Sequence, residues 1–496
     1  MGFFVPAAEV IDTPSFEVGA KILALSSYRW PVAGLRDGID CAPHVGLLSL
    51  ELQLSVSDFL YARSQMGMSL AFHIVFAALG ITLPVLMAIS EGLYLRTGRS
   101  VFLELSKRWS RGAAILFAVG AVSGTVLSFE LGLLWPGFME KAGAIIGMPF
   151  SLEGFAFFTE AIFLGLYLVG WSRLPPFVHW LCGVVVAVSG ILSGIFVVIA
   201  NSWMNSPAGF KIVDGKITDI DPIAAMLNPA APHEVVHMTL AAFVATGFAV
   251  AAIHAFFLLR DRANVFHRNA LGIALTLGCI SAPLLMISGD FSARSVAKLQ
   301  PAKLAAMEAV YYTQTGAPLQ IGGIPDDESR TTRYALTIPR GLSLLATHDP
   351  NGKVIGLEEF PRNDWPKVRL VHWAFDLMVA SGTALFILSI AAGWFAWKER
   401  GVPDGKWLLR ALVAAGPLGF LAIEAGWVVT ELGRQPWIIY GVMRTQEAVT
   451  PMGKIAIPFV VFTILYLFLS VVVIYLLRRQ FMQSEKPVSE LLKTNA

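Results

Sequence analysis

The chain has 496 residues, of which 55% are hydrophobic and only 15% charged, with 33 Phe and a formal net charge of +2. A soluble domain carries about a quarter charged residues, so this composition excludes one and points to an all-α polytopic membrane protein. No basic tract with interleaved aromatics suggests nucleic acid, and the three cysteines (Cys41, Cys182, Cys279) contain no Cys-x-x-Cys pair; a disulfide framework, a zinc ribbon and covalent c-type haem are excluded, and any cofactor is held non-covalently.

Residues 1–56 hold Pro6, Pro14, Pro31 and Pro43 and no apolar run of spanning length, so they are expected to form a poorly ordered extension. A start codon placed too far upstream is a simple explanation. The first helix is expected to start at Ser57-Asp58, with Ser57 a candidate cap. Apolar segments of spanning length then fall at about 59–94, 111–135, 151–171, 176–200, 234–259, 268–289, 368–397, 408–431 and 454–477, which makes nine transmembrane helices. Sixteen of the 37 Lys and Arg lie in the short connections at 96–111, 260–268 and 398–410 and after 477. By the positive-inside rule these ends are cytoplasmic, with the N-terminus outside and the C-terminus inside. The chain thus divides into helices 1–6 (57–289), an outer loop (290–367), helices 7–9 (368–480) and a cytoplasmic tail (481–496). The outer loop is too long for a passive connection and is expected to be functional.

Ionisable residues inside such spans are costly and therefore informative. His73 lies in the apolar run of the first helix, where the alternative is a hydrogen-bonded core histidine. Glu153 and Glu160 are seven apart on the third helix and share a face, the alternative being neutral acids that join helices. His233 and His237 open the fifth helix four apart, a spacing that suits one metal or a pair of interfacial side chains. The seventh helix offers His372, Asp376 and Met378, and methionine by itself usually fills core space. The eighth ends in Ile423–Trp437, with Glu424 and Glu431 seven apart, Trp427 between them, and Arg434 and Pro436 following. A helix end with interfacial charges is the plainer reading.

Alternating helix direction puts His73, Glu153, His237, Met378 and Glu431 in one outer layer, five candidate iron ligands. Met with His suits a six-coordinate low-spin haem, whereas His or carboxylate beside an open position suits a haem that meets dioxygen. Buried propionates need cations, and Arg434 and Arg63 are candidates; Arg63 reads equally well as a snorkelling interfacial charge.

With these residues in view, the chain from about Ser57 to the end of the ninth helix resembles subunit I of the cytochrome bd-type quinol oxidases. The resemblance is carried by Gly433-Arg434-Gln435-Pro436-Trp437 after Glu431, Glu424-Ala425-Gly426-Trp427, Lys406-Trp407-Leu408-Leu409-Arg410, Gly323-Ile324-Pro325-Asp326, Lys303-Leu304-Ala305-Ala306-Met307-Glu308, and Leu152-Glu153-Gly154 with Phe157-Phe158-Thr159-Glu160. It implies that His237 and Met378 are the axial pair of a low-spin haem b. His73 and Glu431 would bind two high-spin haems, a haem b and a haem d or third haem b. Glu153 would stand beside the oxygen-reducing haem and Glu160 next on the proton route from the cytoplasm. By the same resemblance Trp427 lies between haems, Arg63 near their propionates, and Lys303 with Glu308 forms the quinol-binding pair of the outer loop, the Q-loop.

The resemblance further implies a subunit of a bacterial inner-membrane oxidase that takes electrons from ubiquinol or menaquinol and reduces dioxygen to water, building a proton gradient without pumping. Its partners would be a second large subunit (subunit II), a small single-helix subunit in some members, and membrane lipid. The sequence departs from well-known members in three places. Asp376 stands where an Arg is common, Glu130 comes two positions after the usual acidic site, which is Ser128 here, and the Q-loop lacks a long insertion. The last places the chain with the short-loop kind, which includes the cyanide-insensitive type. The rivals are a related haem oxidoreductase with another donor, which Lys303 and Glu308 argue against, and an ion-coupled transporter.

Overall fold

A bilayer core offers no water, so each backbone N–H and C=O must be satisfied within its own element, and a chain this apolar answers with long helices. The computed structural model describes residues 42–483. Its long helices are α1 Ala42–Thr97, α2 Ser100–Leu134, α3 Pro136–Val169, α4 Pro176–Asn205, α5 Ala231–Leu258, α6 Val265–Leu299, α7 Val368–Glu399, α8 Lys406–Ala415, α9 Leu418–Gly433 and α10 Ala456–Gln483. Among the described residues they supply nine spans of membrane-crossing length, α8 and α9 together forming the eighth around Gly416-Pro417. Proline lacks the N–H that a continuous helix would need there.

Every expected span falls on a helix, but most helices run further. The sixth was expected over 268–289 and extends from Val265 to Leu299, beyond its apolar stretch. The start expected at Ser57 is corrected: α1 begins at Ala42, so Ser57 lies within the helix. No Gly or Pro interrupts the chain between Gly46 and the span, so nothing local stops the helix from continuing outward. Residues 1–41 lie outside the described residues, as does most of the expected tail.

Buried side chains form three clusters. One fills the half of the bundle holding Leu86, Leu105, Tyr167, Leu258 and Leu412. A second fills the other half, around Met66, Trp135, Phe138, Trp203 and Ile438. The third joins the long connection to α7 and α9 through Leu304, Ala306, Leu342, Val368 and Leu432. Helices approach closely where side chains are small. A Cβ added at Gly419 of α9 would lie 2.4 Å from Ala245 Cα on α5. Gly419→Val should force these helices apart, costing about 1–3 kcal/mol, and appear as a lowered Tm of the detergent-solubilised protein.

The long connection is built rather than loose. A short helix, Pro301–Met307, follows α6, and a hairpin pairs Leu319–Ile321 with Leu336–Ile338 and then Ile324–Asp326 with Thr331–Arg333. Between the two ladders Gly322 and Gly323 take φ of +67° and +93°, values that favour glycine. A Cβ at Gly323 would lie 2.8 Å from Arg333 O.

Candidate functional site

Where α9 ends, Glu431 and Arg434 are both 1% exposed, and Arg434 Nη2 donates to Glu431 Oε2 at 2.9 Å. A buried charge needs a partner and further hydrogen bonds, and α4 supplies them. Asn201 Nδ2 donates to Glu431 Oε1 at 2.7 Å, and Asn205 Oδ1 accepts from Arg434 Nη1 at 3.0 Å. Asn201 and Asn205 are four apart and so share a face of the helix.

Lys303, in the short helix after α6, reaches the same oxygen: its Nζ donates to Asn205 Oδ1 at 3.1 Å, with Gln300 Nε2 at 3.4 Å. Asn205 Nδ2 in turn donates to Glu234 Oε1 at 2.9 Å and Asn201 Oδ1 at 3.2 Å. Lys and Arg can only donate and a carboxylate can only accept, so these partners fix the orientation of the Asn205 amide. The approach also requires a glycine, since a Cβ at Gly433 would lie 2.8 Å from Lys303 Cγ. Burial pulls the Lys303 ammonium below the ordinary lysine range; Glu234 opposes this, Arg434 adds to it and Glu431 opposes it.

Lys303 and Glu308, expected as a pair in the outer loop, do not lie on its surface. Both are buried, 4% and 1% exposed, because their short helix packs against α6, α7 and α9. Glu308 ends the short helix and its Oε1 has no partner. Burial, and secondarily the Asp376 carboxylate, pushes its carboxyl up to about 8.

Asp376 of α7 ties the helix to the long connection. Its Oδ2 accepts the Gly322 N–H at 2.9 Å and lies 3.4 Å from His372 Nε2. His372 Nδ1 and Nε2 face two carbonyls, Met307 O at 2.7 Å and Gly322 O at 2.9 Å. The ring is thus held between two carbonyl acceptors, with the Asp376 carboxylate beside it. Trp373 Nε1 donates to Gly323 O at 2.8 Å. The first turns of α7 thus fasten the hairpin at its glycines.

The remaining candidates lie along the helices. His73 Nδ1 is 2.9 Å from Ser123 Oγ, and that hydroxyl donates to Val119 O and Gly120 O. With that single hydroxyl hydrogen turned to either carbonyl, Nδ1 is the donor and the Nε2 lone pair is left for a metal. His237 Nδ1 is buried without a partner, whereas His233 Nδ1 turns to Ser292 Oγ at 3.3 Å. Among the described residues no third His, Cys, Asp or Glu joins these two imidazoles as a metal cluster. A Cβ at Gly426 would meet Met378 Sδ at 3.1 Å, and one at Gly124 would meet His73 Cε1 at 3.0 Å. Arg63 Nε and both Glu424 oxygens are buried without partners, and Trp427 packs at the edge of the second cluster. Glu153 accepts from Ser193 Oγ at 3.1 Å; Glu160 is 7% exposed. Glu130 points inward and accepts from Gln65 and Ser69, while Ser128 is exposed.

Orphaned imidazole nitrogens, a thioether against a glycine and unpartnered buried guanidinium nitrogen fit a bound haem better than an apolar core. The residues that sequence reasoning missed are Asn201, Asn205, Glu234 and Gln300. Their signal was present as an i, i+4 asparagine pair closing a highly apolar helix and an acid between two histidines.

The family model described as Cytochrome bd terminal oxidase subunit I matches residues 61–485. A Bacillus subtilis protein, provisionally named as cytochrome bd menaquinol oxidase subunit I, is 38% identical over 445 residues, covering 88% of this chain and 99% of its own. Another from that organism, cytochrome bd ubiquinol oxidase subunit 1, is 30% identical over 440 residues, covering 86% and 94%. The solved structure of bd oxidase from Geobacillus thermodenitrificans superposes with a TM-score of 0.81 at 37% identity, covering 86% of this chain and 98% of that one.

Proposed function

The chain belongs to the cytochrome bd terminal oxidase subunit I family, and from that premise we propose which of its residues carry the chemistry. It is a multi-pass membrane protein, the haem-containing subunit of a quinol oxidase, acting on quinol and dioxygen within a membrane complex. In our reading His237 and Met378 hold a low-spin haem b, and His73 and Glu431 hold two high-spin haems, one b and the other d or b. Arg434 and Arg63 would balance the charge of haem propionates, and Trp427 would pack beside the haems. Subunit II and, where present, a small single-helix subunit complete a complex in the bacterial inner membrane, with the N-terminus outside. The product is water, and charge separates without a pump because quinol protons leave outside while protons for water enter from the cytoplasm through Glu160 and Glu153.

The haems, when bound, supply one-electron transfer and the binding of dioxygen. The chain supplies positioning and proton handling. Lys303 donates to one oxygen of the quinol headgroup, and Glu308 accepts the proton of a hydroxyl. The observation that carries this reading is the shared Asn205 oxygen, which joins Lys303 under the loop to Arg434 and so to Glu431.

A reduced-minus-oxidised spectrum with haem extraction tests the reading: haem bands are expected, and their absence would restore the transporter. Lys303→Met and Glu308→Gln should raise the KM for quinol by about tenfold or more, the worth of one charged hydrogen bond, with every haem band retained. A proton acceptor must be unprotonated, and with its carboxyl pushed up to about 8 that form of Glu308 is scarce at neutral pH and fills as pH rises. Quinol oxidation should therefore accelerate toward pH 8 and level off, and Glu308→Gln should flatten the profile. Unchanged quinol kinetics in both variants would move the donor site elsewhere.

A further inference from the structure

At the end of the bundle away from the hairpin, three buried polar side chains meet. Glu91 of α1 is 2% exposed, His179 in the first turn of α4 is 2% exposed, and Tyr167 near the end of α3 is fully buried. The Tyr167 hydroxyl donates to Glu91 Oε2 at 2.6 Å, and His179 Nδ1 lies 2.6 Å from Glu91 Oε1. His179 Nε2 faces the Tyr167 carbonyl at 2.9 Å. That carbonyl can only accept, so Nε2 carries a proton. The Nδ1–Oε1 contact then holds one proton, as imidazolium with carboxylate or as neutral imidazole with carboxylic acid. Either way the pair is electrically neutral, so it can be buried, and it can take up or give off one proton at the cost of one charge.

Its place in the fold gives the pair a use. Glu153, Glu160 and Tyr167 recur every seven residues on α3 and share one face. Along α4 the partners recur in step: a Cβ at Gly183 would lie 2.7 Å from the Tyr167 ring, one at Gly190 would lie 3.4 Å from Glu160 Oε2, and Ser193 donates to Glu153. The two carboxylates and the Glu91–His179 pair therefore lie along one helix seam, successive positions about 10 Å apart. Past the pair comes the turn between α3 and α4, where Ser172, Arg173 and Pro175 are exposed. The Trp171 ring covers His179 with centroids 4.1 Å apart, and Lys107 Nζ lies over Trp171 at 5.3 Å. Ser106 and Cys182 are the other polar groups beside the cluster.

We infer that Glu91 and His179 form the intake station for the protons that Glu160 and Glu153 pass on, with Tyr167 holding the carboxylate in place and Trp171 as the cover. The inference rests on the proposed role of those two carboxylates. A proton from water at the α3–α4 turn adds to the pair, making it positive. The pair then releases a proton along the seam to the Glu160 carboxylate and is neutral again. Steps of about 10 Å need bridging water between the carriers.

The test uses the complete oxidase in liposomes, with oxygen uptake at saturating quinol, a pH dye on the intake side and haem spectra. Glu91→Gln should lower the maximal rate by about tenfold or more, most strongly at alkaline pH, where protons are scarce. Dye alkalinisation should slow with it, while the KM for quinol and the haem spectrum stay unchanged and Glu91→Asp recovers part of the rate. In infrared difference spectra Glu91→Gln should remove a carboxyl signal that shifts in deuterium oxide. A wild-type rate and pH profile in Glu91→Gln, with Glu160→Gln slowed, would overturn the station while leaving the carboxylate route intact. Wild-type behaviour in both would remove the route itself. Should Glu91→Gln lose haem or fold, Tyr167→Phe decides: it keeps the ring and deletes only the hydroxyl, slowed uptake supports the station and an unchanged rate overturns it.

Discussion

Glu431→Ala is expected to lose a high-spin haem and most oxygen reduction while the low-spin spectrum persists. The carboxylate sits at the last turn of α9, and Arg434 and Asn201 Nδ2, which bond it, are donors and cannot replace it as a ligand. Truncation also strands the Arg434 charge in a site where it is 1% exposed; breaking a buried pair in this way costs about 3–5 kcal/mol. The variant should therefore lose thermal stability as well as haem. Glu431→Gln separates the two effects, because its amide oxygen can still accept from Arg434 or Asn201 while offering iron a poor ligand. It should keep most of the stability and still lose the haem. Full haem content with normal turnover in Glu431→Ala would sink the assignment.

Met378→Leu should leave the fold intact, since the swap conserves volume, and should make the low-spin haem five-coordinate or lower its potential, because thioether ligation favours reduced iron. The sulfur lies against Gly426, where a Cβ would come within 3.1 Å, so leucine fills the space without offering a lone pair. His237→Ala should alter the same haem. Potentiometric titration followed through the spectrum checks both, with quinol-independent reduction by dithionite as the control. Should only His233 or His372 substitutions change that spectrum, the ligands have been misassigned; the hydrogen bonds of His372 to Met307 and Gly322 already occupy both its nitrogens.

The nine spans were legible because lipid demands long apolar runs, and His73, His237 and Glu431 were legible because ionisable groups stand out in such runs. Helix ends were not, since α6 continues to Leu299 through residues whose polarity suits water as well as helix. The burial of Lys303 and Glu308 was also hidden, because it depends on their short helix packing against α7 and α9, which lie far along the chain. Asn205 escaped for another reason. An uncharged amide leaves little mark on hydropathy, and its importance comes from three helices meeting at its side chain.

That amide oxygen has a further property. A carbonyl has two lone pairs, yet Asn205 Oδ1 faces the ammonium of Lys303, the guanidinium of Arg434 and the amide of Gln300. Three donors share two lone pairs, so the balance among them shifts when any one withdraws. A headgroup that draws Lys303 away frees a place that Arg434 can fill more fully, and the grip on Glu431 changes although nothing has touched it. Substrate arrival beneath the hairpin would then be felt at the end of α9 through rivalry for a single atom, with no helix having to move.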